Sequence, residues 1–462
     1  MSESGSPAGA TRSRAVWIVL LSALAVRALV PLLSAAIVGE PRVFHAPDSA
    51  GYMDLAQELA AHGRFERSGA PEVIRTPGYP LLLVPGALTG FMEGVAIALQ
   101  VMLGGLTTWL VYRISLHLFE HPTSALVSAY LYAFEPLSVV YASKVLTETL
   151  FTCLIVGFLH GLLRYLKTTR SAHLIGAAGA LVGSVYVRPI SYFLPMLVAA
   201  GLLLRALRRG PERNRRLAHG ALFFALSLTL VGLWQVRNAV QAGYSGFSAI
   251  SDVNLYYYQG ASVLAAVREV PFAKVQEELG YPDDEVYRNA HPELRDRPRG
   301  ETYRAMGREG LRTLAQHPFT YAKVHVKGMV RTLADPGAIE YLKLFRLYPA
   351  SGGLLGVAVD QGLLGAVAHL LREQPIAFWS TLALGLVVAA GMGLALASVI
   401  RRPVRSNPLA LALLLVGAYF LLMCGGPQAE GRFRHPLMPV VCIFAGERLA
   451  ALIAKWRGRG GG

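Results

Sequence analysis

Charge is scarce in this chain. Only 16% of its 462 residues are Asp, Glu, Lys or Arg, against roughly 25% in ordinary soluble domains, which argues against a water-soluble globular protein. Cysteine is nearly absent as well. Cys153, Cys424 and Cys442 are odd in number and all lie in apolar stretches, so neither a disulfide framework nor a cysteine-based metal knuckle is expected. The histidines are scattered, with no pair at ligand spacing on one helix, and no metal or cofactor is expected. No repeat with a period of 20 to 50 residues is evident. The formal net charge is +15, but no nucleic-acid-binding motif accompanies it, so nucleic acid is not an expected partner.

What the chain has in abundance is long apolar runs. Hydrophobic residues make up 53% of it, and the runs recur near the roughly 20 residues a helix needs to cross a bilayer core. Ten spans are predicted, at 15–38, 94–118, 123–142, 146–167, 172–188, 190–208, 217–238, 374–400, 407–425 and 435–454. The first is too long for the apolar region of a signal peptide, about 7 to 15 residues, and is read as a retained helix. With the N-terminus in the cytoplasm, the cytoplasmic segments together with the span ends that adjoin them hold 17 Lys and Arg, and the short outer segments with their adjoining span ends 8, which sets the orientation by the positive-inside rule. The fold class is therefore an all-α polytopic membrane protein, placed in the cell inner (plasma) membrane.

This gives a cytoplasmic tail (1–14), an N-terminal membrane module (15–238) with an outer loop at 39–92, an extracytoplasmic insertion (239–373) and a C-terminal membrane module with a basic tail (374–462). The insertion balances its basic and acidic residues, as a solvated segment does. Within it, helix is expected over 303–335 with a break at His317-Pro318, since proline disfavours helix at the residue before it. Residues 351–371, with Asp360 and Gln361, read as a helix lying on the outer leaflet. A reporter active only outside the cytoplasm should work when fused at Asn289 and fail at Arg213; activity at both positions would overturn the ten-span topology.

Just past the first span comes Phe44-His45-Ala46-Pro47-Asp48-Ser49-Ala50-Gly51-Tyr52. An amphipathic stretch ending at Gly63 follows, and then Arg75-Thr76-Pro77-Gly78-Tyr79-Pro80, a rigid turn carrying one cation and two hydroxyl-bearing side chains. An Asp after the first span, a Tyr four residues on and this turn resemble the first extracytoplasmic loop of the GT-C glycosyltransferases, in particular bacterial relatives of the protein O-mannosyltransferases and aminoarabinose transferases. Further matches stand at Leu146-Thr147-Glu148-Thr149-Leu150-Phe151, Val187-Arg188-Pro189, Trp234-Gln235-Val236-Arg237-Asn238 and Gly431-Arg432-Phe433-Arg434-His435-Pro436, in family order. The chain departs from the commonest pattern twice, with Asp48-Ser49 where many relatives have Asp-Glu and Arg75-Thr76-Pro77 where they have His-Pro-Pro.

The resemblance implies a hexosyl- or pentosyltransferase that moves sugar from a polyprenyl-phosphate donor to an acceptor hydroxyl on a glycan, lipid or protein, usually with inversion. Membrane lipid would surround the site. A general base takes the acceptor proton, a role that fits Asp48. Cations stabilise the departing phosphate, and Arg75, Arg188, Arg237, Arg432 and Arg434 are candidates because the guanidinium fork binds phosphate oxygens in pairs. Tyr52, Tyr79, Glu148 and Asn238 are candidate substrate contacts. Each has a plainer alternative. Asp48 fits the N-cap of the helix after it, the arginines suit interfacial anchoring, and Glu148 has Lys144 one turn before it as an ion-pair partner. Arg27 and Glu135, both within spans, would neutralise each other or polar neighbours. Tyr256-Tyr257-Tyr258-Gln259 reads as an interfacial anchor ahead of a sugar-stacking surface. The rival function is a transporter or flippase of lipid-linked sugars. Transporters commonly show repeat symmetry and broken helices at the midplane, whereas the polar candidates here crowd the outer surface.

Overall fold

The structure is a computed structural model that describes residues 7–207, 210–348, 365, 367–368 and 371–459. It is almost wholly helical. Among the described residues the only strands are β1 (Glu66–Arg67) and β2 (Ala70–Pro71), an antiparallel pair closed by Ser68 and Gly69, both at positive φ as a tight hairpin turn requires.

Among the described residues seven helical stretches are long and apolar enough to cross a membrane: Ser13–Val38, Met92–Phe119, Glu148–Thr168, Pro189–Ala206, Arg213–Ala242, Pro375–Val399 and Gly431–Gly458. Ser171–Val187 and Pro408–Met423 are apolar but shorter. At 1.5 Å per residue such helices still reach about 25 Å, close to the thickness of the hydrocarbon core. The chain is an all-α polytopic membrane protein. Large apolar side chains such as Leu32, Leu386, Leu396 and Leu415 point outward from the bundle, as lipid-facing residues do.

In chain order the first elements are α1 (Pro7–Val38), α2 (Ser49–His62), α3 (Gly78–Thr89), α4 (Met92–Phe119), α5 (Pro122–Ala133), α6 (Pro136–Tyr141), α7 (Glu148–Thr168), α8 (Ser171–Val187), α9 (Leu194–Ala206) and α10 (Arg213–Ala242). α7 packs on α4 and α8, α10 lies on α8 and α9, and the last helix, Met438–Arg459, packs on α5 and Pro375–Val399.

The third predicted span, 123–142, is not one helix. It breaks at Phe134-Glu135, because Pro136 has no N–H to continue the ladder. The break is hydrogen-bonded by side chains on both sides. The Glu135 carboxylate accepts from the Leu137 and Ser138 amides at 3.2 and 2.6 Å, capping α6. Arg27, fully buried in α1, donates to the carbonyls of Ala133 and Tyr132 at 2.8 and 3.0 Å, closing the C-terminal end of α5. Its guanidinium also bonds Ser138 Oγ. Arg27 and Glu135 thus serve backbone ends and do not pair with each other. Gly104 of α4 makes room for Arg27, since a Cβ there would sit 2.5 Å from its Cδ.

The segment after α10 folds as short helices around a tyrosine-rich core of Tyr244, Tyr256, Tyr257, Tyr287 and Tyr303 with Met306. Val73, from the loop before α3, belongs to the same core. Tyr256 and Tyr257, expected at an interface, are buried there, on a π-helical turn at Leu255–Gly260. Helices Arg299–Gln316 and Pro318–Ala334 meet at His317, where the proline was expected to divide them. The surface helix expected over 351–371, with Asp360 and Gln361, falls almost entirely outside the described residues.

Candidate active site

Three loops meet at one end of the bundle. The first leaves α1 and runs through Asp48. It is stitched to the segment before α7 by Val145 N to Phe44 O at 2.9 Å, Ser49 Oγ to Val145 O at 2.8 Å and Lys144 Nζ to Val43 O at 3.0 Å. The second is the turn 72–77, pinned from several sides. The Glu72 carboxylate accepts from the Ile74 and Arg75 amides, Thr76 Oγ1 donates to Val187 O at 3.1 Å, and Ser248 Oγ donates to Ile74 O at 2.6 Å. Gly78 is required by this packing, since a Cβ would come 2.7 Å from the Tyr186 carbonyl oxygen. The third is the 3₁₀ turn Gly431–Leu437.

Asp48 sits where the three converge. Its Oδ1 accepts from Arg75 Nη2 at 2.8 Å and its Oδ2 from Arg432 Nη1 at 3.1 Å. Asp48 precedes α2, yet its side chain makes no capping hydrogen bond; both oxygens are spent on the arginines. All three side chains stay 22 to 29% exposed, so a ligand can reach them. Burial works to raise the Asp48 carboxyl, but Arg75 and then Arg432 outweigh it and hold it below the usual carboxylate range. Arg75 also donates to Tyr52 Oη at 3.2 Å and lies 4.9 Å from the centre of the Tyr52 ring. Burial pushes the Tyr52 phenol up, keeping it neutral.

A second ion pair adjoins the first. Glu148, 2% exposed at the start of α7, accepts from Arg188 Nη1 at 2.8 Å. The expected Lys144–Glu148 pair is not formed. The i, i+4 argument needs helix, and α7 begins only at Glu148; Lys144 turns instead to Val43 O, with Glu340 4.0 Å away. Phe433 joins the two ion pairs, with Arg188 and Arg432 lying 5.6 and 5.0 Å from its ring centre.

The remaining candidates lie outside this cluster. Arg434 is fully buried and donates to the carbonyls of Thr332, Leu333 and Asp335, closing the end of helix Pro318–Ala334. Arg237 donates to the carbonyls of Phe65 and Glu72 at 2.7 and 2.6 Å, and Asn238 to those of Gly246 and Phe247. Tyr79 is fully buried and donates to Gln100, whose amide donates to the Ala142 and Lys144 carbonyls. Sequence reasoning missed Phe433 and Arg67. The exposed Arg67 guanidinium lies beside Gly51, close to Arg75, and the hairpin that brings it there gives no signal beyond Ser68-Gly69. Among the described residues no group of three or more His, Cys, Asp or Glu side chains is placed to hold a metal ion.

Fold and site together describe a polytopic helical membrane protein with a carboxylate held between two arginines at one end of its bundle. Residues 79–234 match the family model of the dolichyl-phosphate-mannose-protein mannosyltransferases. No curated protein matches significantly. Among solved structures, the chain is similar to ArnT from Cupriavidus metallidurans bound to undecaprenyl phosphate (14% identity, 94% of this chain and 78% of that one, TM-score 0.40). The apo form of the same protein gives 16% identity, the same coverage and a TM-score of 0.38. At such scores the architecture rests on the chain's own helices.

Proposed function

We propose that this protein is a membrane glycosyltransferase that takes a sugar from a polyprenyl-phosphate donor and transfers it to an acceptor hydroxyl at the extracytoplasmic face of the inner membrane. The observation that carries the reading is Asp48 held between Arg75 and Arg432, which come from loops far apart in the chain. A base and phosphate-binding cations are the parts this transfer needs, and here they touch.

The donor phosphate competes with Asp48 for the two guanidinium groups. Once they turn to the phosphate, the carboxylate is released and its proton affinity rises. The acceptor oxygen attacks the anomeric carbon and its proton passes to Asp48. The bond from that carbon to the phosphate oxygen breaks, its electron pair stays on the phosphate, and the configuration inverts. Arg75 and Arg432 stabilise the second negative charge as it forms on the phosphate.

The test is transfer by the purified protein in nanodiscs, given a panel of polyprenyl-phosphate sugars and candidate glycan, lipid and protein acceptors. Glycosylated acceptor and free polyprenyl phosphate should appear one for one. Intact lipid-linked sugar crossing a bilayer uncleaved would overturn the reading in favour of a transporter.

A further inference from the structure

Glu148 is the one carboxylate of the cluster that transfer chemistry leaves without a task. It is almost fully buried, which is costly for a charge unless something needs it. Three guanidinium groups, Arg75, Arg188 and Arg432, are gathered with two carboxylates, Asp48 and Glu148, which leaves one positive charge. Arg67 and Glu430 lie at the edge, exposed, opposite in sign and screened by water.

We infer that Glu148 sets the release of the lipid product, by matching the buried charge of the site to that of the phosphate before and after transfer. The inference rests on the proposed glycosyltransferase reading. A bound donor phosphodiester carries one negative charge and brings the cluster to zero. During transfer the departing phosphate gains a second negative charge while Asp48 gains the acceptor's proton, and the sum is again zero. The site is thus neutral with either species bound, and no surplus buried charge adds to the hold on the departing product. Without Glu148 the site keeps one excess positive charge, and a phosphate dianion feels that excess twice as strongly as a monoanion.

The effect on product affinity is consequently the square of the effect on donor affinity. For Glu148→Gln, undecaprenyl phosphate should bind about tenfold more tightly at pH 8, and a polyprenyl-phosphate sugar about threefold. Turnover should show a burst of one product per enzyme, followed by a steady rate about tenfold below wild type. A purely structural Glu148 predicts the opposite sign, since loss of its contact with Arg188 would loosen the site.

The double variant Glu148→Gln/Arg188→Gln removes both charges and leaves no unpaired ion to threaten folding. It should return product affinity to near the wild-type value and abolish the burst. Folded Glu148→Gln protein with unchanged or weaker product affinity would overturn the inference, as would a double variant that holds product tenfold more tightly. Wild-type protein that neither cleaves polyprenyl-phosphate sugars nor binds undecaprenyl phosphate would instead sink the glycosyltransferase reading beneath it.

Discussion

Asp48→Asn is expected to slow sugar transfer by roughly 100- to 10,000-fold, the usual contribution of a general base, or about 3 to 5 kcal/mol in the barrier. The amide preserves the side chain's size and one acceptor oxygen but takes no proton. Because the Asp48 side chain caps nothing in α2, the helix should survive the change. Donor binding should hold or tighten, since Arg75 and Arg432 lose a competitor for the phosphate. The pH dependence gives an independent check. The carboxylate is the active form, so activity is present above its pKa and lost as the pH falls through it. In the donor-free protein that pKa lies below the ordinary carboxylate value, which places the acid limb of kcat/KM low. With donor bound and the arginines occupied, the acid limb of kcat should move to higher pH. Full transfer by Asp48→Asn, or coincident acid limbs, would remove Asp48 from the role of base.

Arg75→Lys should damage transfer nearly as much as Arg75→Ala, each by about 10- to 100-fold. Arg75 reaches Asp48 with one terminal nitrogen and Tyr52 with the other while lying against the Tyr52 ring. A lysine ammonium keeps the charge but lacks the fork and the plane. Donor affinity, measured separately with the polyprenyl-phosphate sugar, should fall in both variants. Unchanged donor binding would reassign Arg75 to holding the turn in shape.

Much of this was readable in the sequence, for reasons particular residues make plain. Apolar runs mark the helices because lipid imposes one requirement on every residue of a span. The same window concealed the break at Glu135, where the proline was visible but its neighbours were apolar enough to read as continuous. Asp48 and Arg75 could be found because each stands beside turn-forming residues that set its direction. Arg432 and Arg434 could not be told apart, being two residues apart and chemically identical. Only the 3₁₀ turn sends one to Asp48 and the other beneath helix Pro318–Ala334. Lys144 was assigned to Glu148 by helical spacing in a stretch that is not helical.

Arg27, Arg237 and Arg434 all bind main-chain carbonyls, at the ends of α5, the 65–72 hairpin and helix Pro318–Ala334. A carbonyl is present whatever side chain its residue carries. The partners of these three arginines can therefore drift in sequence, or be exchanged for segments of different surface chemistry, and still be gripped in the same place. Asp48, Arg75 and Arg432 recognise one another side chain to side chain and have no such latitude. The chain thus combines an adaptable frame with an unforgiving centre, an arrangement in which the segments around the cluster can diversify while the contacts of its three charged side chains stay fixed.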